Sequence, residues 1–215
     1  MKNSRTVKNI YVIGIGPGHP DYILPIAKKT INAMDVIVAG KRNQKCLALD
    51  NQIVYTIKGP LSHLKDYIDK CPSDQKIGLV VSGDPSFYSL LNWTKMNFET
   101  HKIITVPGIS SLQYFFTRLN KAYHKSYWVS LHGRENNFIQ HIKNHRFVAL
   151  LTDQINTPKA IAKKLIDNHL TYQMHVGENL SYASETITSG SPEEIIKKDN
   201  YKLSVVIIEN ENYKG

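Results

Sequence analysis

Three apolar, β-rich runs, 10–15, 76–82 and 103–106, each close on a glycine turn and each lead into a segment with helical spacing. Continuous apolar runs of this length suit strands covered on both faces, as parallel strands are, and a parallel return requires a crossover such as a helix. The pattern restricts the chain to an α/β fold with glycine turns at the strand ends. The alternation predicts a helix over 22–34 with Asp21 as N-cap, strands over 35–40 and 53–56, and helices over 61–70, 86–97 and 110–119. The polar segment 120–125 interrupts it and reads as a linker, which gives an N-terminal α/β domain of 8–121 and a C-terminal α/β domain of 125–215. The second domain is expected to hold strands over 127–131, 147–151, 173–177 and 203–208, helices over 138–143, 158–168 and 192–197, and a hairpin or long turn over 178–190.

Composition decides the class of environment. With 215 residues, 41% hydrophobic and 21% charged, the chain has material for a core and is far from a disordered composition. No apolar run approaches the roughly 18 to 20 residues of a bilayer span. The start, MKNSRTVKN, lacks the apolar region of a signal peptide, so a soluble, cytoplasmic protein is expected. Cys46 and Cys71 form no CxxC pair, consistent with a reducing compartment. The formal charge of +9 calls for an acidic partner, yet the basic residues are scattered, with no run that would make a nucleic-acid arm.

The glycine turns carry the chemistry. Gly14, Gly16 and Gly18 follow the first strand, where backbone N–H groups often approach an anion. The spacing rejects a dinucleotide fingerprint: its third glycine would fall on His19, and the acid expected after the second strand is replaced by Ala39 and Gly40. A Walker loop fails as well, because Gly40-Lys41 is followed by Arg42. A tight turn and a close approach to ligand both remain open for these glycines. Ser82-Gly83-Asp84-Pro85 and Val106-Pro107-Gly108-Ile109-Ser110-Ser111 are two further strand-end loops, and the three should converge on one crevice of one sheet. His132-Gly133-Arg134 opens the second domain; Arg134 has the fork for a carboxylate and His132 can carry a proton. His141 and His145 stand at metal-pair spacing without a third ligand, so no metal site is expected. No GxSxG nucleophile elbow is present.

The loops GIGPGHPD, SGDPSFY and VPGISSLQ, in this order, resemble those of the tetrapyrrole (corrin/porphyrin) methylase family. The resemblance continues through SLHGR, LLTD, VGENLSYASETI and LSVVIIE, so it covers essentially the whole chain; SLHGR and GENLSY are most similar to the branch that methylates C5 of a cobalt-precorrin in cobalamin biosynthesis. Lys41-Arg42 followed by Asn43 departs from some relatives. The resemblance implies a two-domain methylase with its active site in a trough between the domains, a homodimer, and S-adenosylmethionine held largely by backbone. By motif, Ser82, Gly83, Asp84 and Phe87 would line the cofactor pocket, Ser110 and Ser111 would meet its other end, and Thr152 would contact the adenosine. Gly16 and Pro17 would lie near the methyl group and the tetrapyrrole, with Arg134 on a substrate carboxylate and His132 beside it as a proton carrier. Cobalt would ride in the substrate. A C15-methylating, decarboxylating activity is expected from a separate chain. Two alternatives stand beside this reading: a tetrapyrrole methylase of other regiospecificity, and a basic RNA-associated protein that stacks bases on its aromatic residues.

Overall fold

The computed structural model describes residues 7–133 and 136–213. By its contacts the chain divides into two units, the first running through Ser110 and the second beginning at Ser111. The first unit contains β1 (Asn9–Gly14), α1 (Pro25–Asn32), β2 (Val36–Ala39), α2 (Lys41–Gln44), β3 (Ile53–Thr56), α3 (Leu61–Lys70), β4 (Lys76–Val81), α4 (Leu91–Asn97) and β5 (Lys102–Val106). The strands form one sheet in the order β3-β2-β4-β1-β5, with each neighbouring pair parallel. Alternation within β2 shows why the runs are apolar throughout. Val36 and Val38 pack in one cluster with Leu64 and Ile68 of α3, whereas Ile37 and Ala39 pack in another with Ala27 and Ile31 of α1. Both faces of the sheet are covered, as a parallel sheet requires.

Two local expectations are corrected. Asp21 does not cap α1: Pro20–Tyr22 form a separate short turn whose cap is His19, with Nδ1 accepting from the Asp21 N–H at 3.2 Å. The helix begins later, with Pro25 in its first turn, where a missing N–H and a fixed φ cost nothing. The helix expected from Ser86 starts only at Leu91. Asp84 takes the Ser86 N–H at 2.8 Å in an Asx turn, and Tyr88 adopts a φ of +47°, so the chain cannot coil through this stretch. The short α2 was absent from the sequence expectation.

The second unit contains α5 (Ser111–Arg118), β6 (Ser126–Ser130), α6 (Ile139–Ile142), β7 (Phe147–Leu151), α7 (Pro158–Asp167), β8 (Gln173–Glu178), β9 (Thr186–Gly190), α8 (Pro192–Ile195) and β10 (Ser204–Glu209). Its sheet runs β6-β7-β10-β8-β9; β6 and β7 are parallel, and the remaining neighbours are antiparallel. The stretch 178–190 is a hairpin from β8 to β9. Thr157 and Ser191 cap α7 and α8, the latter through a complete capping box with Glu194.

The division after Ser110 differs from one in the 120–125 linker because α5 packs with the second unit. Phe116 stacks on Trp128 with centroids 5.8 Å apart and meets Phe147 edge-on at 5.4 Å. Gly177 leaves the room for this helix, since a Cβ there would come within 3.0 Å of the Phe115 ring. Glu185 ties the β8–β9 connection to α5, accepting from Tyr114 Oη at 2.7 Å and from Arg118 Nε at 2.8 Å. Lys121, inside the polar segment read as a linker, pairs with the buried Glu209 at 2.7 Å. His175 completes this cluster: Nε2 lies 3.1 Å from Glu209 Oε2 and Nδ1 lies 2.7 Å from Ser189 Oγ.

Candidate active site

The strand ends of the first sheet meet more closely than side chains would allow. A Cβ on Gly14 would lie 2.6 Å from the Gly83 carbonyl oxygen and 2.9 Å from the Gly108 nitrogen. Gly14 and Gly108 let one backbone approach another, a role beside the tight turn and the approach to ligand that the sequence left open for Gly14. Gly16, at φ +77°, supplies the left-handed turn, and a Cβ there would meet the Tyr22 carbonyl oxygen at 2.8 Å.

The converging loops are stitched by their own polar groups. Gly16 and Gly83 exchange hydrogen bonds, with Gly83 N–H donating to the Gly16 carbonyl at 2.8 Å and Gly16 N–H to the Gly83 carbonyl at 3.3 Å. Ile15 N–H donates to the Val81 carbonyl at 3.0 Å. Asp84 is the strap between two loops, its Oδ2 accepting from Gly108 N–H at 3.1 Å and its Oδ1 from the backbone and hydroxyl of Ser86. Asp84→Ala leaves the Gly108 N–H without its acceptor and is expected to lower stability by about 1 to 3 kcal/mol. Equal urea midpoints for the variant and the parent would count against the strap.

The edge therefore has a defined chemical bias. The N–H groups of Ile15, Gly16, Gly83 and Gly108 all donate to protein oxygens, so they do not form a cradle for phosphate.

Of the residues singled out by sequence, Gly16, Ser82, Gly83 and Asp84 are gathered at this edge. Phe87 follows in the same loop with its ring edge-on to Tyr88 at 4.9 Å, and half-buried Pro17 follows Gly16. Ser110 is buried at the end of the third loop, and Ser111 starts α5. Sequence reasoning did not single out Asn43, which accepts the Ser82 hydroxyl at 2.8 Å, or Arg42, which donates to the same hydroxyl at 3.0 Å. The available signal was a cationic pair placed directly after β2.

In the second unit, His132 and Thr152 are brought together where β6 and β7 end. His132 Nδ1 makes a long contact of 3.5 Å with the Thr152 carbonyl, and the Thr152 hydroxyl donates to the Ser204 carbonyl at 2.6 Å. Asp153, the acid of LLTD, organises this end. It accepts from the backbone of Asn156 at 2.6 Å, Gly133 at 2.8 Å and Ile155 at 2.9 Å. These N–H groups, with Asn156 and Gly133 foremost, draw its carboxyl down to about 2. The Asp-x-x-Asn spacing after a strand was the signal for this loop. Arg134 lies outside the described residues. His141 and His145 pack beside Tyr127, the first stacked at 3.7 Å, and no group of metal-binding side chains occurs among the described residues. Among those residues no helix is long and apolar enough to cross a membrane.

The sequence profile of the family described as Tetrapyrrole (Corrin/Porphyrin) Methylases matches residues 9–196. A protein of Methanocaldococcus jannaschii named probable cobalt-precorrin-7 C(5)-methyltransferase is 32% identical over 210 residues, covering 94% of this chain and 98% of the relative. The cobalt-precorrin-7 C(5)-methyltransferase of Salmonella typhimurium is 29% identical, covering 93% of this chain and 98% of its own. Among solved structures, the uroporphyrin-III C-methyl transferase of Thermus thermophilus, complexed with S-adenosylhomocysteine, shares the fold. Its TM-score is 0.78 at 17% identity, over 94% of this chain and 97% of that one. With a match that spans most of both units, the chain belongs to the tetrapyrrole (corrin/porphyrin) methylase family.

Proposed function

We propose that this protein is an S-adenosylmethionine-dependent C-methyltransferase acting on C5 of a cobalt-precorrin, cobalt-precorrin-7, in cobalamin biosynthesis. The observation that carries this reading is similarity along almost the full length to relatives named for that reaction, 32% identical in the first case. S-adenosylmethionine, when bound, supplies a methyl group on a sulfonium to a carbon nucleophile. The edge of the first sheet is compatible with such a cationic group, because the N–H groups of Ile15, Gly16, Gly83 and Gly108 are committed to protein oxygens and form no anion cradle. Gly83, Ser82, Asp84 and Phe87 would hold it, with Ser110, Ser111 and Thr152 as further contacts.

The chain's own residues then need to align two reactants and exclude water. Gly16 and Pro17 form the rigid turn expected against the tetrapyrrole, and Arg134 is assigned to one of its carboxylates. His132 is assigned the proton released from C5. In the tautomer that carries its hydrogen on Nδ1, facing the Thr152 carbonyl, Nε2 would be the acceptor. The homodimer and the separate C15-methylating partner belong to this reading through the family resemblance, and the cytoplasmic location through the sequence composition.

Methyl-labelled S-adenosylmethionine and cobalt-precorrin-7, followed by mass spectrometry and carbon NMR, test the assignment. One methyl group on C5 is expected. A label on another carbon would keep the family and discard the regiospecificity. RNA binding with a steep salt dependence, and no binding of adenosylhomocysteine, would instead favour the nucleic-acid reading.

A further inference from the structure

We propose that Arg42 anchors a peripheral carboxylate of the tetrapyrrole from the first unit. The inference rests on the functional reading above and adds to it a residue that selects for the substrate's acidic side chains. Strand β2 ends at Ala39, and Gly40 opens onto free space, where a Cβ would meet nothing within 4 Å. The turn of α2 follows at once, with Lys41 and Arg42 exposed.

What fixes Arg42 is neutral. Its Nη2 donates to Ser82 Oγ at 3.0 Å, while Ser82 gives its own proton to Asn43 Oδ1 at 2.8 Å. The Asn43 amide donates in turn to the Val80 carbonyl at 3.4 Å, near the end of β4. Among the described residues, no carboxylate pairs with Arg42, nor with Lys41 or Lys45 beside it. Asp84, in the loop that bears Ser82, is occupied by Gly108 and Ser86. A guanidinium oriented by a hydroxyl keeps its full charge and most of its donors for a ligand, whereas one already in an ion pair would have to exchange partners.

The chemistry that matches is a planar carboxylate taken by two parallel N–H groups. Lys41 and Lys45 add attraction for a polyanion without its geometry. The tetrapyrrole substrate presents acetate and propionate arms of this kind at its rim. Because the positioning hydroxyl is that of Ser82, carboxylate recognition is built onto the same loop that the functional reading assigns to the cofactor.

Titration calorimetry with two soluble corrins tests the anchor. Cobyrinic acid carries free carboxylates, and cobinamide carries amides in their place; adenosylhomocysteine reports on the cofactor side. Arg42→Gln is expected to weaken cobyrinic acid binding about 10- to 100-fold. It should leave adenosylhomocysteine affinity unchanged and narrow the preference for cobyrinic acid over cobinamide. Arg42→Lys, which keeps the charge but not the fork, should fall between parent and Arg42→Gln, and its thermal unfolding should superimpose on the parent's. Unchanged cobyrinic acid affinity in Arg42→Gln, or an equal loss of adenosylhomocysteine binding, overturns the anchor and leaves the methylase reading standing. A parent protein that binds neither a corrin nor adenosylhomocysteine overturns that reading and the anchor with it.

Discussion

Gly108→Ala is expected to cost about 3 kcal/mol or more and to abolish adenosylhomocysteine binding. The added methyl carbon would sit 2.2 Å from the Gly83 carbonyl oxygen and within 3.0 Å of two backbone atoms of Gly14. None of these is the end of a flexible side chain, so relief requires the strand ends to part. Parting them also breaks the bond from Gly108 N–H to Asp84, which removes the strap between two loops. Urea denaturation and calorimetry measure both effects, and Gly40→Ala is the matched control, because its Cβ meets open space. Parent-like stability in Gly108→Ala would mean that the loops have slack that the closeness of their backbones does not suggest.

The second large effect is expected at Glu209, whose carboxylate is buried between Lys121 at 2.7 Å and His175 at 3.1 Å. Glu209→Ala strands both partners and should lower the stability of the second unit by about 3 to 5 kcal/mol near neutral pH. The same cluster gives the loss a pH signature. Burial pushes the His175 imidazole down, with the Glu209 hydrogen bond opposing it. Burial alone would raise the Glu209 carboxyl, but the hydrogen bonds from Lys121 and His175 hold it below its ordinary range. Arg146, at 3.9 Å from Glu209, and Glu211 complete the charges facing the cluster. Each depressed group takes up a proton less readily folded than unfolded. Their contribution is therefore complete above the ordinary histidine value of 6.5 and declines as pH falls through that value and then through the carboxylate range. Glu209→Ala removes the carboxylate part and leaves the His175 part unopposed, so both proteins should lose stability through the histidine range, and the curves should converge only as pH falls through the carboxylate range, where the parent alone continues to lose. Parallel curves would show that the cluster is not the source of the acid sensitivity.

The legible parts of the fold are those decided by neighbours in sequence. The strands Ile53–Thr56 and Phe147–Leu151 and the helix Leu61–Lys70 have the bounds expected from apolar runs and helical spacing alone. Two of the boundaries that moved were set by particular side-chain captures: His19 on the Asp21 N–H, and Asp84 on the Ser86 N–H. The site follows the same rule. The motifs singled out Gly16, Ser82, Gly83 and Asp84, which the fold gathers at one sheet edge, yet their spacing could not show that Gly14 and Gly108 serve the packing of backbone on backbone. Nor could it show that Ser82 is shared by Arg42 and Asn43, 40 and 39 residues earlier in the chain. His175 and Glu209 are 34 residues apart and meet only because β8 pairs with β10. Such contacts depend on strand order, which no local pattern encodes.

Strand order also bears on how the chain acquires its structure as it is made. In the first sheet, β5 is the last strand to be synthesised and occupies an edge, so the four strands before it can pair without it. In the second, β10 comes last of all the described strands and lies between β7 and β8. Until it leaves the ribosome, the β6–β7 pair and the β8–β9 hairpin have no strand to join them, and two unpaired strand edges, β7 and β8, await the same partner. The first unit can thus mature vectorially during translation, whereas the second closes in a single late insertion, during which its open edges are the part of the nascent protein most exposed to mispairing.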